Sequence, residues 1–258
     1  MKIKIPTNEA LYMPNLLING DFQINQRGQE SYTAGLNPTY GFDIWQQYNS
    51  TAKKKPNGLY IAKNGEGGNF IQHVSVQGKH IIVCNVVSLL GNVFIAYYDE
   101  SGKKWVKQQL KNGPNNLSFN TSVTKVGIVL DGTGINSNVT IEYIRLYEGN
   151  IEYKGQKEDY ATALMRCLPY CEYGEFAVQY NNTTYFISGF TYKFPKKDTP
   201  NIIFIKTVVD ENGNVIGTFE AVSQNACSCP FIRYNEKSAV GLGNKTLNVR
   251  VLITCEKL

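Results

Sequence analysis

Short runs that alternate apolar and polar residues, each closed by a turn signal, recur along most of this 258-residue chain. VTIEYIRLYEG (Val139–Gly149) puts Val139, Ile141, Tyr143, Arg145 and Tyr147 on one side. It puts Thr140, Glu142, Ile144, Leu146 and Glu148 on the other. A period of two fits a strand, whose successive side chains point to opposite faces, and does not fit a helix. FIQHVSVQG (Phe70–Gly78), HIIVCNVVSLL (His80–Leu90) and KVGIVLDG (Lys125–Gly132) read the same way. NVFIAYYD (Asn92–Asp99), the turn residues ESGKKW and then WVKQQL predict a hairpin. Strands this short and this frequent predict an all-β domain over 15–155, a sandwich or jelly roll.

Residues 156–173, QKEDYATALMRCLPYCEY, break the pattern. Asp159 suits a helix N-cap, Ala161, Leu164, Met165 and Leu168 fall at helical spacing, and Pro169 limits the run. This is the predicted linking helix. Beyond it, 174–258 predict a second β-sandwich. EFAVQYNNTTYFISGF (Glu175–Phe190) reads as a hairpin around Asn181-Asn182, and NIIFIKTVVDENGNVIGTFEAVS (Asn201–Ser223) as another around Asp210–Asn214. TLNVRVLITC (Thr246–Cys255) reads as a closing strand. The 17 Tyr, 23 Gly and frequent Asn suit strands and turns.

The formal charge of +5 is mild, and the run Lys53-Lys54-Lys55 precedes the turn residues Pro56-Asn57-Gly58, so it reads as a solvated loop. Nucleic-acid binding calls for a basic stripe interleaved with aromatics, which this chain lacks, so no nucleic-acid partner is expected. MKIKIPTNEALYMP has no apolar stretch of the ~7 residues a signal peptide needs. No run approaches the ~18 apolar residues of a membrane span, and no membrane insertion is expected. The six cysteines, Cys84, Cys167, Cys171, Cys227, Cys229 and Cys255, read as reduced and mostly buried thiols. Cys167-x3-Cys171 with Cys227-x-Cys229 is the zinc alternative, at unusual spacing and with no neighbouring His.

Three ordered blocks carry a resemblance. NLLINGDFQINQRG (Asn15–Gly28) with YGFDIW (Tyr40–Trp45) resembles the opening of phage tail-fibre and appendage proteins, whose first domain resembles jelly-roll carbohydrate-binding modules. That family opens with Asn-Leu-Leu-Ile-Asn-Gly-Asp-Phe, an aromatic and Gln-Arg-Gly, then Asp-Arg-Trp; here Ile24 replaces the aromatic and Ile44 the Arg before Trp45. IEYIRLYEGN (Ile141–Asn150) followed by ALMRCLPYCEY (Ala163–Tyr173) is similar to its last jelly-roll strand and short helix. The Thr-Pro-Phe-Glu segment usual between them is absent or reduced. FTYKFPKKDTPNIIF (Phe190–Phe204) resembles a step in its terminal β domain. The resemblance implies a virion protein working as a homotrimer, joined to another virion protein through residues 1–14, and adhering to bacterial surface polysaccharide. The alternative is a structural part of capsid, baseplate or tail that binds no receptor.

Similar jelly rolls often hold a structural calcium between their first and last strands, which here points to Asp21 and Glu142. The other reading of Asn19-Gly20-Asp21 is a tight turn. No other cofactor is expected. Gln26-Arg27-Gly28 reads either as an anion clamp or as an internal hydrogen-bonding corner. Trp45 reads as core. Trp105, flanked by Lys103, Lys104 and Lys107 and lying across the hairpin from Tyr97 and Tyr98, reads either as a glycan platform or as a half-buried cross-strand pair. Tyr180, Tyr185 and Tyr192 form a second candidate rim, again against ordinary sheet tyrosines.

For catalysis the chain offers little. Its only histidines are His73 and His80, and no H-E-x-x-H, G-x-S-x-G or phosphate-binding Gly-rich loop is present. A glycosidase pair drawn from Asp99, Glu100 and Glu148 leaves no local motif, and these read equally well as solvated turn residues. A non-enzymatic protein is expected.

Overall fold

The computed structural model describes residues 15–132, 136–149, 157–179, 186–192, 195–196, 199–204, 208–209, 215–223, 228–236 and 246–255. The first part is built from twelve strands: β1 (Ser31–Ala34), β2 (Thr39–Tyr40), β3 (Gln46–Tyr48), β4 (Ser50–Lys55), β5 (Gly58–Lys63), β6 (Gly68–Val76), β7 (Lys79–Leu90), β8 (Val93–Asp99), β9 (Lys104–Gln109), β10 (Gly113–Asn120), β11 (Val123–Leu130) and β12 (Asn138–Glu148). They form two six-stranded sheets, ordered β1-β4-β5-β12-β7-β10 and β2-β3-β6-β11-β8-β9. Strands β5 to β12 make one long antiparallel ribbon closed by the β8–β9 turn. Its pairs β8·β9, β7·β10, β6·β11 and β5·β12 fall alternately in the second and first sheets. A ribbon wound this way is a jelly roll. The expected all-β fold and the β8–β9 hairpin are both present. Strands β1 and β2 lie at one edge of their sheets, β10 and β9 at the other.

The apolar faces of the two sheets meet in one core. Trp45 is fully buried, stacked on Phe70 at 4.9 Å and tilted against Phe22 at 5.6 Å. Ile61, Ile82, Ile95, Val126, Ile128 and Leu146 fill the space around them. The strict alternation expected along β12 fails in the middle. Val139 and Ile141 enter the core, but so do Ile144 and Leu146, while Tyr143 and Arg145 do not. Register shifts beside Ile141 mark a β-bulge, in which one added residue exchanges the two faces of the strand beyond it.

The same bulge ends the pairing between β5 and β12, which reaches only Ile141. Beyond it the segment Asn15–Gly20 takes over: Leu16 N–H donates to Leu146 O at 2.8 Å and Ile144 N–H to Gly20 O at 2.9 Å. NLLINGDFQINQRG therefore adds no regular strand to the sheet. It is a buried, irregular string of turns with Asn19 at φ 54° and Phe22 at φ 52°. Buried backbone without a regular ladder must find other partners, and side chains supply them. Gln72 clamps Ile18 through both its amide atoms at 2.8 Å, Asn19 does the same to Ile24 at 2.9 Å, and the Trp45 indole donates to Asn19 O. Gln26 binds the Asp43 carboxylate and Cys171 O, while Arg27 reaches Asp43 and Gly41 O, which makes that corner internal.

The helix α1 (Tyr160–Cys167) is capped by Asp159, whose carboxylate accepts from Thr162 N–H at 3.0 Å. The face it buries keeps Leu164 and Leu168 of the expected set and loses Ala161 and Met165. Ala163 and Cys167 pack with Leu164 against Ile24 and Ile18, while Met165 and Ala161 stay exposed. The rotation follows from Arg166, which reaches Asn15 O and Leu17 O and pairs with Glu158.

After the helix come β13 (Cys171–Gln179), β14 (Phe186–Thr191), β15 (Asn201–Phe204), β16 (Val208–Val209), β17 (Val215–Ser223), β18 (Ser228–Glu236) and β19 (Thr246–Thr254). They form sheets ordered β13-β19-β15 and β14-β18-β17-β16. The hairpin expected over Glu175–Phe190 does not form, because β13 pairs with the closing strand β19 and β14 with β18. Of the hairpin expected over Asn201–Ser223, only β16·β17 is paired that way, β15 joining β19 instead. A buried Lys196–Glu172 pair at 2.6 Å, with Lys196 also donating to Leu168 O, fastens the helix exit to this part.

Gly20 sits so close to β12 that an added Cβ would lie 2.2 Å from Ile144 O. Both groups are backbone and cannot swing aside, so Gly20→Ala should lower stability by about 3 kcal/mol. Chemical denaturation checks this, and an unchanged midpoint would contradict the close approach.

Candidate functional site

Where β5 parts from β12 and the amino-terminal segment replaces it, the first sheet opens into a cleft of about 660 Å³. One wall is the β4–β5 turn, with Lys54 and Asn57; the bulge contributes Glu142 and Tyr143; Asp21 and Lys157 approach from the opposite side. The cleft exists because the bulge diverts one hydrogen-bonding partner before the next has joined.

Its electrostatics follow from one ion pair. The Asp21 Oδ1 accepts from Arg145 Nη2 at 2.7 Å and Nε at 3.1 Å, and Oδ2 accepts from Glu158 N–H at 3.1 Å. Both side chains are almost fully buried. Burial disfavours the guanidinium charge, but Asp21 more than offsets this and holds the Arg145 pKa above its ordinary value. The guanidinium also lies 4.1 Å from the Tyr143 ring centroid. Lys54 donates to Phe22 O at 2.8 Å. Burial, then the nearby Lys157 charge, pull the Lys54 pKa below the usual lysine value. Among the described residues neither lysine has an ion-pair partner, so the cleft carries three cations against two carboxylates.

The calcium expectation for Asp21 and Glu142 gains no support from these contacts. Asp21 is committed to a guanidinium, which a cation would have to expel. Glu142 is exposed and accepts from the Asn85 amide at 2.7 Å. Among the described residues no three His, Cys, Asp or Glu side chains gather as a metal site. Cys227 of the zinc alternative lies outside the described residues.

The aromatic hairpin divides in two. Tyr97 does not belong to an outer platform: it points into the core and packs on Phe119 at 4.7 Å, since Val93, Ile95 and Tyr97 share the inner face of β8. Tyr98 and Trp105 are half-buried on the outer face, directly opposite in register, with rings 5.6 Å apart at 72°. Lys125, the next residue across the sheet, brings its ammonium 5.7 Å from the Tyr98 ring. Of the second rim, Tyr180 and Tyr185 lie outside the described residues and Tyr192 is buried.

Of the groups considered for catalysis, Glu148 is exposed at the end of β12, and Asp99, Glu100, His80 and His73 have structural partners. Asp99 accepts from the Thr121 hydroxyl and Ser101 N–H, and Glu100 from Lys103 and the Thr124 hydroxyl, so both hold the β8–β9 and β10–β11 turns. Those bonds, led by Thr121 for Asp99 and Lys103 for Glu100, keep both carboxyls below the usual pKa. His80 is buried, stacked on Phe119, with Nδ1 at 3.2 Å from Gly78 O. His73 is exposed and bonds Gln46. Lys54 and Lys157 were not singled out by the sequence reading. The signal for Lys54 was present: it shares strand parity with buried Ala52, so it turns away from Lys53 and Lys55.

No family model and no curated protein matches the chain. Among solved structures, discoidin II of Dictyostelium discoideum is similar at 11% identity over 79% of each chain, with a TM-score of 0.22. Oxalate decarboxylase of Bacillus subtilis is similar at 8% identity over 99% of this chain and 85% of that one, with a TM-score of 0.18. At such scores neither fold nor ligand follows from the likeness. The jelly roll rests on the strand order itself.

Removing one member of a buried ion pair strands the other, so Asp21→Asn and Arg145→Met should each lower stability by roughly 3–5 kcal/mol. A double-mutant cycle should show strong coupling; additive losses would mean the pair is not the fastening. Burial pushes the Cys84 thiol up to about 12. Iodoacetamide at pH 8 should therefore leave Cys84 unmodified in the native protein and modify it after unfolding, as read by peptide mass mapping.

Proposed function

We propose that this chain is part of a bacteriophage appendage and that its jelly roll contacts bacterial surface glycan through the outer face of the second sheet. The observation that carries the reading is the Tyr98–Trp105 pair. Two aromatic side chains on facing strands stand outside the core, with the Lys125 ammonium beside the Tyr98 ring and Lys107, paired with Asp131, on the same face. The apolar face of a pyranose stacks on such rings, while the ammonium groups bond its hydroxyls. The resemblance of three sequence blocks to tail-fibre proteins supports the phage context.

A single patch of this size gives weak binding. A homotrimer presenting three copies to a repetitive polysaccharide turns weak contacts into firm adhesion. The reading assigns the chain to attachment and not to bond cleavage, because the carboxylates and histidines near the patch are held by turn and sheet contacts.

The test is binding of the purified oligomer to capsule and cell-wall polysaccharides of candidate hosts by biolayer interferometry. Trp105→Ala should cut binding at least tenfold with little change in thermal stability, and Trp105→Phe should retain most of it, since stacking on one ring contributes roughly 1–3 kcal/mol. Binding that survives Trp105→Ala would remove the patch from the reading. No binding to any surface polysaccharide would favour a purely structural virion component.

A further inference from the structure

We infer that the cleft beside the β12 bulge is a second, separate site, and that it takes a sugar bearing a carboxylate. It lies in the first sheet, whereas Tyr98 and Trp105 lie on the second, so this inference does not rest on the aromatic patch.

Three features specify the ligand. The first is a surplus of positive charge at one end. Asp21 is neutralised by Arg145, so the Lys54 and Lys157 ammonium groups remain for an incoming anion. A ligand carboxylate between them would relieve the mutual repulsion that Lys157 exerts on Lys54. The second is a pair of uncommitted polar groups. Glu142 gives Oε2 to Asn85, which leaves Oε1 without a partner among the described residues, and the Asn57 side chain is exposed on the turn. These accept and donate to hydroxyls. The third is an apolar wall. Val87 on β7 is 43% exposed, and Pro56 lines the same space. That wall suits the C–H face of a ring.

An anionic end, a hydroxylated body and a C–H face together describe a uronic or similar sugar acid. Inorganic phosphate or a nucleic-acid backbone satisfies only the first feature. The cleft is built and not incidental. Gly58 at φ 140° lets the β4–β5 turn approach within a space where a Cβ would lie 2.2 Å from Ile141 O. The bulge that opens the gap also turns Tyr143 and Arg145 out of the core to line it.

Isothermal titration calorimetry of the full chain with trigalacturonic acid tests this, with maltotriose, sodium acetate and an acidic tetrapeptide as comparison ligands. Trigalacturonic acid should bind in the millimolar range or tighter, with weaker binding at higher salt, and the neutral trisaccharide and acetate at least tenfold more weakly. Lys157→Gln and Lys54→Gln should each weaken binding roughly tenfold. Lys157 makes no contact with the rest of the described chain that a fold defect could follow from, so its variant separates loss of a site from loss of structure. Trp105→Ala should leave this binding unchanged, which separates failure here from failure of the aromatic patch. No heat with trigalacturonic acid, equal affinity for acetate or maltotriose, tighter binding of the acidic tetrapeptide, or indifference to Lys157→Gln would each overturn the inference.

Discussion

The Asp21–Arg145 pair fastens the end of an irregular segment to the last strand of the jelly roll. Most of the fold's other peculiarities depend on that attachment. It adds to the backbone bonds at Leu146 and Gly20 and to the Gln72 clamp in holding Asn15–Gly28, a string of turns next to a core whose largest side chain, Trp45, donates its indole N–H to that same segment. Two charges taken out of water are costly unless their geometry is good. Here the guanidinium meets one oxygen with two N–H groups, and the second oxygen is used by the backbone of Glu158. The pair thus joins three sequence regions: the amino-terminal segment, the closing strand, and the approach to the helix.

From that joint the architecture follows outward. The helix lies against the segment and not against a sheet, and Arg166 bonds the carbonyls that the segment leaves open. Gln26 carries the connection on to Cys171, the first residue of the following β part. The block NLLINGDFQINQRG is thus a hub of tertiary contacts. Its residues Asn15, Asn19, Gly20, Asp21, Gln26 and Arg27 each serve a backbone group, an ion pair or a close approach.

The sequence displayed the strands of the jelly roll because half-buried strands alternate, and alternation is local. It displayed the β8–β9 hairpin for the same reason. It hid whatever depends on partners distant along the chain. Alternation along Val139–Tyr147 looked complete because aromatic and aliphatic residues are both apolar; only the register against β7 shows where the bulge exchanges faces. Asp21 looked like a metal ligand because its counter-charge stands 124 residues away. Tyr97 and Tyr98 looked equivalent, yet strand parity sends one inward and the other outward. Lys54 looked like part of a solvated run and is exposed like its neighbours, but parity with Ala52 turns it away from them toward Phe22 O.

The outer edge of the second sheet has a consequence for crowding. Strand β9 is the edge strand of its sheet, and the backbone groups on the side away from β8 are a template for another β edge. Lys104 stands exposed along it, Lys107 is paired with Asp131, and Gln108 reaches back to Asn116 O at the neighbouring edge of the first sheet. Like charges facing each other across two such edges oppose their pairing. Many copies can then sit side by side without zipping into a continuous sheet, and the aromatic face next to that edge stays open to solvent.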